Sequence, residues 1–211
     1  MNSRLVVVSI VFLGLLVSCN SSEKKEENVS SAPAEKELQA LSKEQEQKYL
    51  SQGKKIAQAS FKTLSSQLQM AMAEGGISNA VTYCNVEAYP LTDSLKTEFG
   101  VVALKRATDQ PRNAKNLASD KEENQLDLWK EEKAQGKKLK PVVVPHDNDQ
   151  VVFYAPITMK GQCLTCHGEV EAMGADYAEI KKLYPNDQAT GYSLGDLRGM
   201  WSITFQKDND V

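Results

Sequence analysis

The sequence predicts an α+β fold, a long helix ahead of a β-hairpin and a further strand, and three patterns point there. In the N-terminal half Ala57, Phe61, Leu64, Leu68 and Met72 recur at spacings of four, three, four and four, which is one face of a helix. Further on, two β-rich runs, Val142-Val143-Val144 and Val151-Val152-Phe153-Tyr154, flank His146-Asp147-Asn148-Asp149, whose turn chemistry makes the pair a hairpin. Near the C-terminus Trp201, Ile203 and Phe205 alternate with Ser202 and Thr204, so this strand is expected to be half-buried.

The chain begins with a segment that does not belong to the fold. Arg4 supplies a positive start and Leu5 to Val17 form a short apolar run, below the roughly 20 residues a membrane-spanning helix needs. This is the pattern of an export signal. Leu16-Val17-Ser18-Cys19 resembles a bacterial lipobox, which implies cleavage after residue 18 and lipidation of Cys19. Acyl chains there, at about 0.8 kcal/mol per buried methylene, anchor a protein to a membrane without a spanning helix. Residues 19–41 then read as lipidated cysteine and flexible tether, because Asn20 to Ala34 holds too little apolar material to bury a core. The location so implied is the bacterial cell envelope, on the periplasmic side or the outer surface. Loss of Arg4 takes the formal net charge from −3 to −4, and no basic patch indicates a nucleic-acid partner.

The domain proper is expected over 42–208. Ser42 and Gln45 have capping-box spacing, and the long helix they open is expected to stop at Gly75-Gly76, with Gly53 interrupting its stripe. A second helix, about Ile77 to Glu87, puts Ile77, Val81, Cys84 and Ala88 on one face, so Cys84 points inward. Pro90 is expected to end or kink it, with a further turn reaching Gly100. Val101 to Thr108 reads as a strand carrying Arg106, Asp109 to Ser119 as a polar loop, and Asp120 to Gly136 as a helix with Leu126 and Trp129 facing the core. The second hairpin strand runs through Pro156-Ile157 towards Cys163, and a small helix is expected around Tyr177 to Tyr184.

The most informative stretch is Cys163-Leu164-Thr165-Cys166-His167. Two cysteines three apart with a histidine after the second form the attachment site of a c-type haem. The thiols reach the two vinyl groups of one porphyrin, and the adjacent imidazole is held under the iron as an axial ligand. A structural zinc site would need four ligands, whereas Cys84 and His146 stand alone. A thioredoxin-like pair would follow a strand and open a helix, whereas this one lies between Gly161-Gln162 and His167-Gly168 and is expected in a loop. With Cys19 assigned to lipid and Cys163 and Cys166 to thioethers, Cys84 is left with no disulfide partner in an oxidising compartment.

With these residues placed, about Ala57 to Phe205 resembles the single-haem c-type cytochromes with a PAS-like fold, long catalogued as a domain of unknown function. The resemblance rests on Cys84 in a helix before a proline, on Arg106 with Pro111-Arg112-Asn113 and Asn116, and on Tyr154-Ala155-Pro156-Ile157 leading into the haem motif. It continues in Tyr184-Pro185, Asp187, Ala189 and Gly191-Tyr192, then in Gly195-Asp196 and Arg198-Gly199. It implies an antiparallel sheet flanked by helices and one haem ligated by His167 and by a cysteine thiolate, which by position is Cys84. Met159, Met173, Met200 and His146 remain other sixth ligands to weigh, and Arg106, Arg112 and Arg198 are candidates to pair with the haem propionates.

Two functions follow from different classes. One is a membrane-tethered, extracytoplasmic electron-transfer or redox-responsive cytochrome working with a redox partner protein. The other is a haem-based gas or redox sensor acting through a partner, which the long first helix and the resemblance favour. An enzyme such as a peroxidase would need an acid/base group, and only His146 is spare.

Overall fold

Ser42 opens the first helix by the exchange its spacing to Gln45 anticipates. The Gln45 amide donates to the Ser42 hydroxyl at 3.2 Å and the Ser42 amide donates to the Gln45 side-chain oxygen at 3.0 Å. The structure, a computed structural model, describes residues 40–147 and 149–208, all within one compact unit, Glu37–Val211. The export signal 1–18, Cys19 and the tether up to residue 39 lie outside the described residues.

Helix α1 spans Lys43–Phe99 in two arms, and the first arm stops where the sequence indicated, at Gly75 and Gly76, which leave helical geometry. Gly76, at φ 65° and ψ −156°, holds a conformation that a side chain would disfavour. Across the bend the Asn79 side-chain amide donates to the Ala71 carbonyl at 2.9 Å. Pro90 does not end the second arm. Val86, whose carbonyl loses its helical partner to the proline, lies on the exposed side where water can replace it. The helix closes at left-handed Gly100, whose amide donates to the carbonyls of Lys96 and Thr97.

Strand β1 (Ala103–Ala107) is followed by helix α2 (Asp120–Ala134), the hairpin strands β2 (Val142–His146) and β3 (Gln150–Thr158), and strand β4 (Leu197–Gln206). Between β3 and β4 lie three short helices, α3 (Leu164–His167), α4 (Val170–Met173) and α5 (Asp176–Leu183). The four strands form one antiparallel sheet in the order β1-β4-β3-β2. The α+β architecture expected from the sequence, an antiparallel sheet flanked by helices with a long helix ahead of it, is what the chain adopts.

One face of the sheet (Leu104, Val151, Phe153, Trp201, Ile203, Phe205) packs on Tyr49, Ile56, Ala57 and Leu95 of α1. The other (Ala107, Val152, Tyr154, Met200) packs on Leu126 and Trp129 of α2. Strand β4 is therefore not half-buried as its alternation suggested. It lies between β1 and β3 with a helix over each face, and Met200 and Ser202 are as inaccessible as Trp201 and Ile203. Alternation along β1 sends Lys105 to the α2 face, where it pairs with Glu122 at 2.8 Å, and Arg106 to the opposite face.

Candidate functional site

Arg106 points into a cleft that lies on the α1 face of the sheet and encloses about 1150 Å³, open mouth included. Both arms of α1 supply walls, Phe61, Leu64 and Leu68 before the bend and Tyr83, Cys84 and Ala88 after it. The sheet adds Ala107, Ile157, Arg198, Gly199 and Trp201, and the segment after β3 adds Met159, Lys160, Cys163 and His167. Gly199 has no room for a side chain, since a Cβ there would lie 2.4 Å from the Ala107 carbonyl oxygen. The charged groups on the walls are Arg106, Lys160 and Arg198, all cationic. In a chain of net charge −3 that concentration suits an anionic ligand.

The structure brings Cys163, His167, Cys84, Arg106 and Arg198 to this one cleft, although they are spread over more than a hundred residues of sequence. The cysteine motif is not in a loop. Gly161–Cys163 form a 3₁₀ turn that runs directly into α3, so the motif sits on consecutive helical turns. Cys166 is turned away from the cleft walls, against Val81, Met173, Ile180 and Tyr184. It is near enough to Cys84 and Cys163 for their charges to act on it.

His167 is oriented by a contact the sequence did not advertise. Its Nδ1 lies 2.7 Å from the carbonyl oxygen of Ala189, and since a carbonyl only accepts, Nδ1–H is the donor. That leaves Nε2 as the nitrogen with a free lone pair. Burial first, and the Arg112 and Arg198 guanidiniums second, hold the imidazole pKa down at about 3, so the ring is neutral at physiological pH. The Cys84 thiol is pushed up by burial, with Arg106 and Arg112 acting the other way.

The three arginines have different duties. Arg106 makes no hydrogen bond or ion pair among the described residues, and burial lowers its pKa. Arg198 donates to the Thr108 hydroxyl at 2.8 Å and to the Gln110 carbonyl at 3.1 Å, and lies 5.4 Å from the Tyr192 ring centre. Arg112 is absent from the cleft walls. It donates to the carbonyls of Cys166 and Ala189 and pairs with Asp187 at 3.2 Å. Of the other ligands considered, Met159 lines the cleft, whereas Met173 and Met200 belong to separate apolar clusters and His146 ends β2.

Sequence reasoning assigned no role to Asp187 and Ala189. Asp187 accepts the Ala189 amide at 2.9 Å, an Asx turn that aims the Ala189 carbonyl at His167. The Tyr192 amide donates to the His167 carbonyl at 3.0 Å, and the Gly191 amide to that of Gly168 at 2.8 Å. The i, i+2 spacing of Asp187 and Ala189 signals the turn, but not what it faces. Among the described residues no group of three or more His, Cys, Asp or Glu side chains gathers, so Cys163 and Cys166 have no second pair beside them for a structural zinc.

A family model described as Tll0287-like matches residues 25–206. Among solved structures, the cyanobacterial heme-protein Tll0287 is similar at 21% identity, with a TM-score of 0.49, over 71% of this chain and 94% of that one. None of the curated proteins matches the sequence.

Proposed function

The chain belongs to the Tll0287-like family, and on that premise we propose that it is a c-type cytochrome carrying one haem in the cleft and serving electron transfer or redox response. The carrying observation is His167: a neutral imidazole on the cleft wall, its Nδ1 engaged by Ala189 and its Nε2 free, next to the cysteine spacing that haem attachment requires. The family's namesake is itself described as a heme-protein, in keeping with this reading.

Cys163 and Cys166 would hold the haem as thioethers, each thiol adding across one vinyl group and giving its hydrogen to the neighbouring carbon. Cys163 already lines the cleft, and Cys166 has to swing from its apolar cluster to join it. His167 and Cys84 would be the axial ligands, and Arg106 and Arg198 would face the propionates. Bound haem supplies one-electron chemistry at its iron, and a thiolate ligand would favour the oxidised state. Lys160, exposed on the cleft wall and 4.7 Å from the Phe61 ring centre, would offer a cationic contact to a redox partner.

The anchoring half of the proposal rests on the lipobox-like Leu16-Val17-Ser18-Cys19, which would tether the domain to a cell-envelope membrane. Expression with an intact haem-ligation system tests the whole. We expect a haem stain that survives denaturing electrophoresis, is lost in the double variant Cys163→Ala, Cys166→Ala, and leaves the membrane fraction in Cys19→Ser. A colourless wild-type product overturns the cofactor reading. Ready carbon monoxide binding by the reduced wild type would favour the gas-sensor alternative over electron transfer.

A further inference from the structure

We infer that the Arg112–Asp187 pair is the positioning device for the His167 imidazole, fixing which ring nitrogen holds the proton and which is left free. The inference leans on the haem reading above only for its spectroscopic arm.

Asp187 is wholly buried as a side chain and Arg112 nearly so, at 0% and 12% exposure. One Asp187 oxygen accepts the Ala189 amide, and the other faces Arg112 at 3.2 Å. The same guanidinium donates to the Ala189 carbonyl, which receives the His167 proton, and to the carbonyl of Cys166, the residue just before His167. Both the strand of chain that bears the imidazole and the carbonyl that faces it are thus tied to one cation. Asp187 is the carboxylate paired with that cation among the described residues, and the Arg112 Nε is buried without a partner. A buried guanidinium stripped of its counter-charge is driven towards water, and leaving would release both carbonyls together. Asp187→Asn isolates this effect, because the amide keeps the shape and an acceptor oxygen for the Ala189 amide but loses the charge.

The test uses the full chain in its haem-free form, labelled with ring ¹⁵N-histidine, which is assignable because the chain has only two histidines. Wild type is expected to show His167 as the Nδ1–H tautomer, and Asp187→Asn to lose that dominance to a mixture with Nε2–H. Arg112→Met, which removes the one nitrogen that reaches both carbonyls, is expected to do the same and serves if Asp187→Asn does not fold. A pure Nδ1–H signal in a folded variant at either position overturns the inference. In the haem-loaded protein Asp187→Asn should change the ferric EPR g-values and raise the midpoint potential, because the buried Asp187 charge is removed. A purely structural role would lower the melting temperature and leave both unmoved. If wild type takes up no haem the cofactor reading fails while the tautomer result still decides the inference; an unaltered tautomer in the haem-free variants, with unaltered g-values in their haem-loaded forms, would sink the inference alone.

Discussion

Gly53 of α1 lies against the ring of Phe153 on β3, so close that a Cβ on Gly53 would sit 2.2 Å from the ring Cγ. The glycine that looked like a flaw in the helical stripe is what lets α1 descend onto the sheet. Its contact sets the separation of α1 from the strands, and so the depth of the cleft walled by Phe61, Leu64 and Leu68 farther along the same arm.

Gly53→Ala should therefore destabilise the protein, although alanine is the better helix former by about 1 kcal/mol. Phe153 is fully buried, and the atom met is the ring Cγ, which cannot move aside without carrying the whole ring with it. Overpacking of this kind costs about 1–3 kcal/mol, to be read as a lowered urea midpoint with an unchanged slope.

Glu122 makes stability depend on acid. Burial alone would raise its pKa, but Lys105, the Ser119 amide and Ser202 outweigh that and hold it below the ordinary 4.5. A carboxylate with a depressed folded pKa stabilises fully above its unfolded pKa, and the contribution fades as the pH falls through the folded one. Glu122→Gln is expected to cost about 1–3 kcal/mol at pH 7. The difference from wild type should close as the pH is lowered from about 4.5, measured by urea denaturation across that window.

If Cys84 ligates the iron as proposed, Cys84→Ala should change the ferric EPR spectrum, raise the midpoint potential and open the reduced iron to carbon monoxide. Met159→Leu, on the wall of the same cleft, should leave all three as they are. The reverse pattern would make Met159 the ligand.

Arg106 should change the sign of its effect with the cofactor. Without haem its desolvated guanidinium has no hydrogen bond among the described residues, so Arg106→Met should gain about 1 kcal/mol in urea denaturation. With haem bound the same substitution removes a propionate partner, and the loaded protein should lose stability.

Much of this was legible in the residues. The capping box at Ser42 and Gln45, the helical turn reaching Gly100, the hairpin and the inward face of Cys84 depend on local spacing, and local spacing is what a sequence displays. The misreadings arise where a distant partner decides. Alternation in β4 could not reveal that α2 covers its second face, nor could Pro90 reveal that Val86 lies where water is at hand. The cysteine motif looked like a loop because Gly161 and Gly168 bracket it, yet the seven residues from Gly161 to His167 suffice for two tight helical turns. Arg112 carried no mark separating it from Arg106 and Arg198, since its partners Cys166, Asp187 and Ala189 lie 54 residues and more away.

The strand order has a bearing on how the molecule comes into being. β4, the spine joining β1 to the β2–β3 hairpin, follows the other three in the chain, so the hairpin cannot be joined to β1 until the β4 segment has been delivered. Pairings of such long sequence separation fold slowly. A chain threaded N-terminus first across a membrane would thus present Cys163 to Cys166 still unfolded and reachable by a ligating enzyme, and the arrival of its late spine would shut the door.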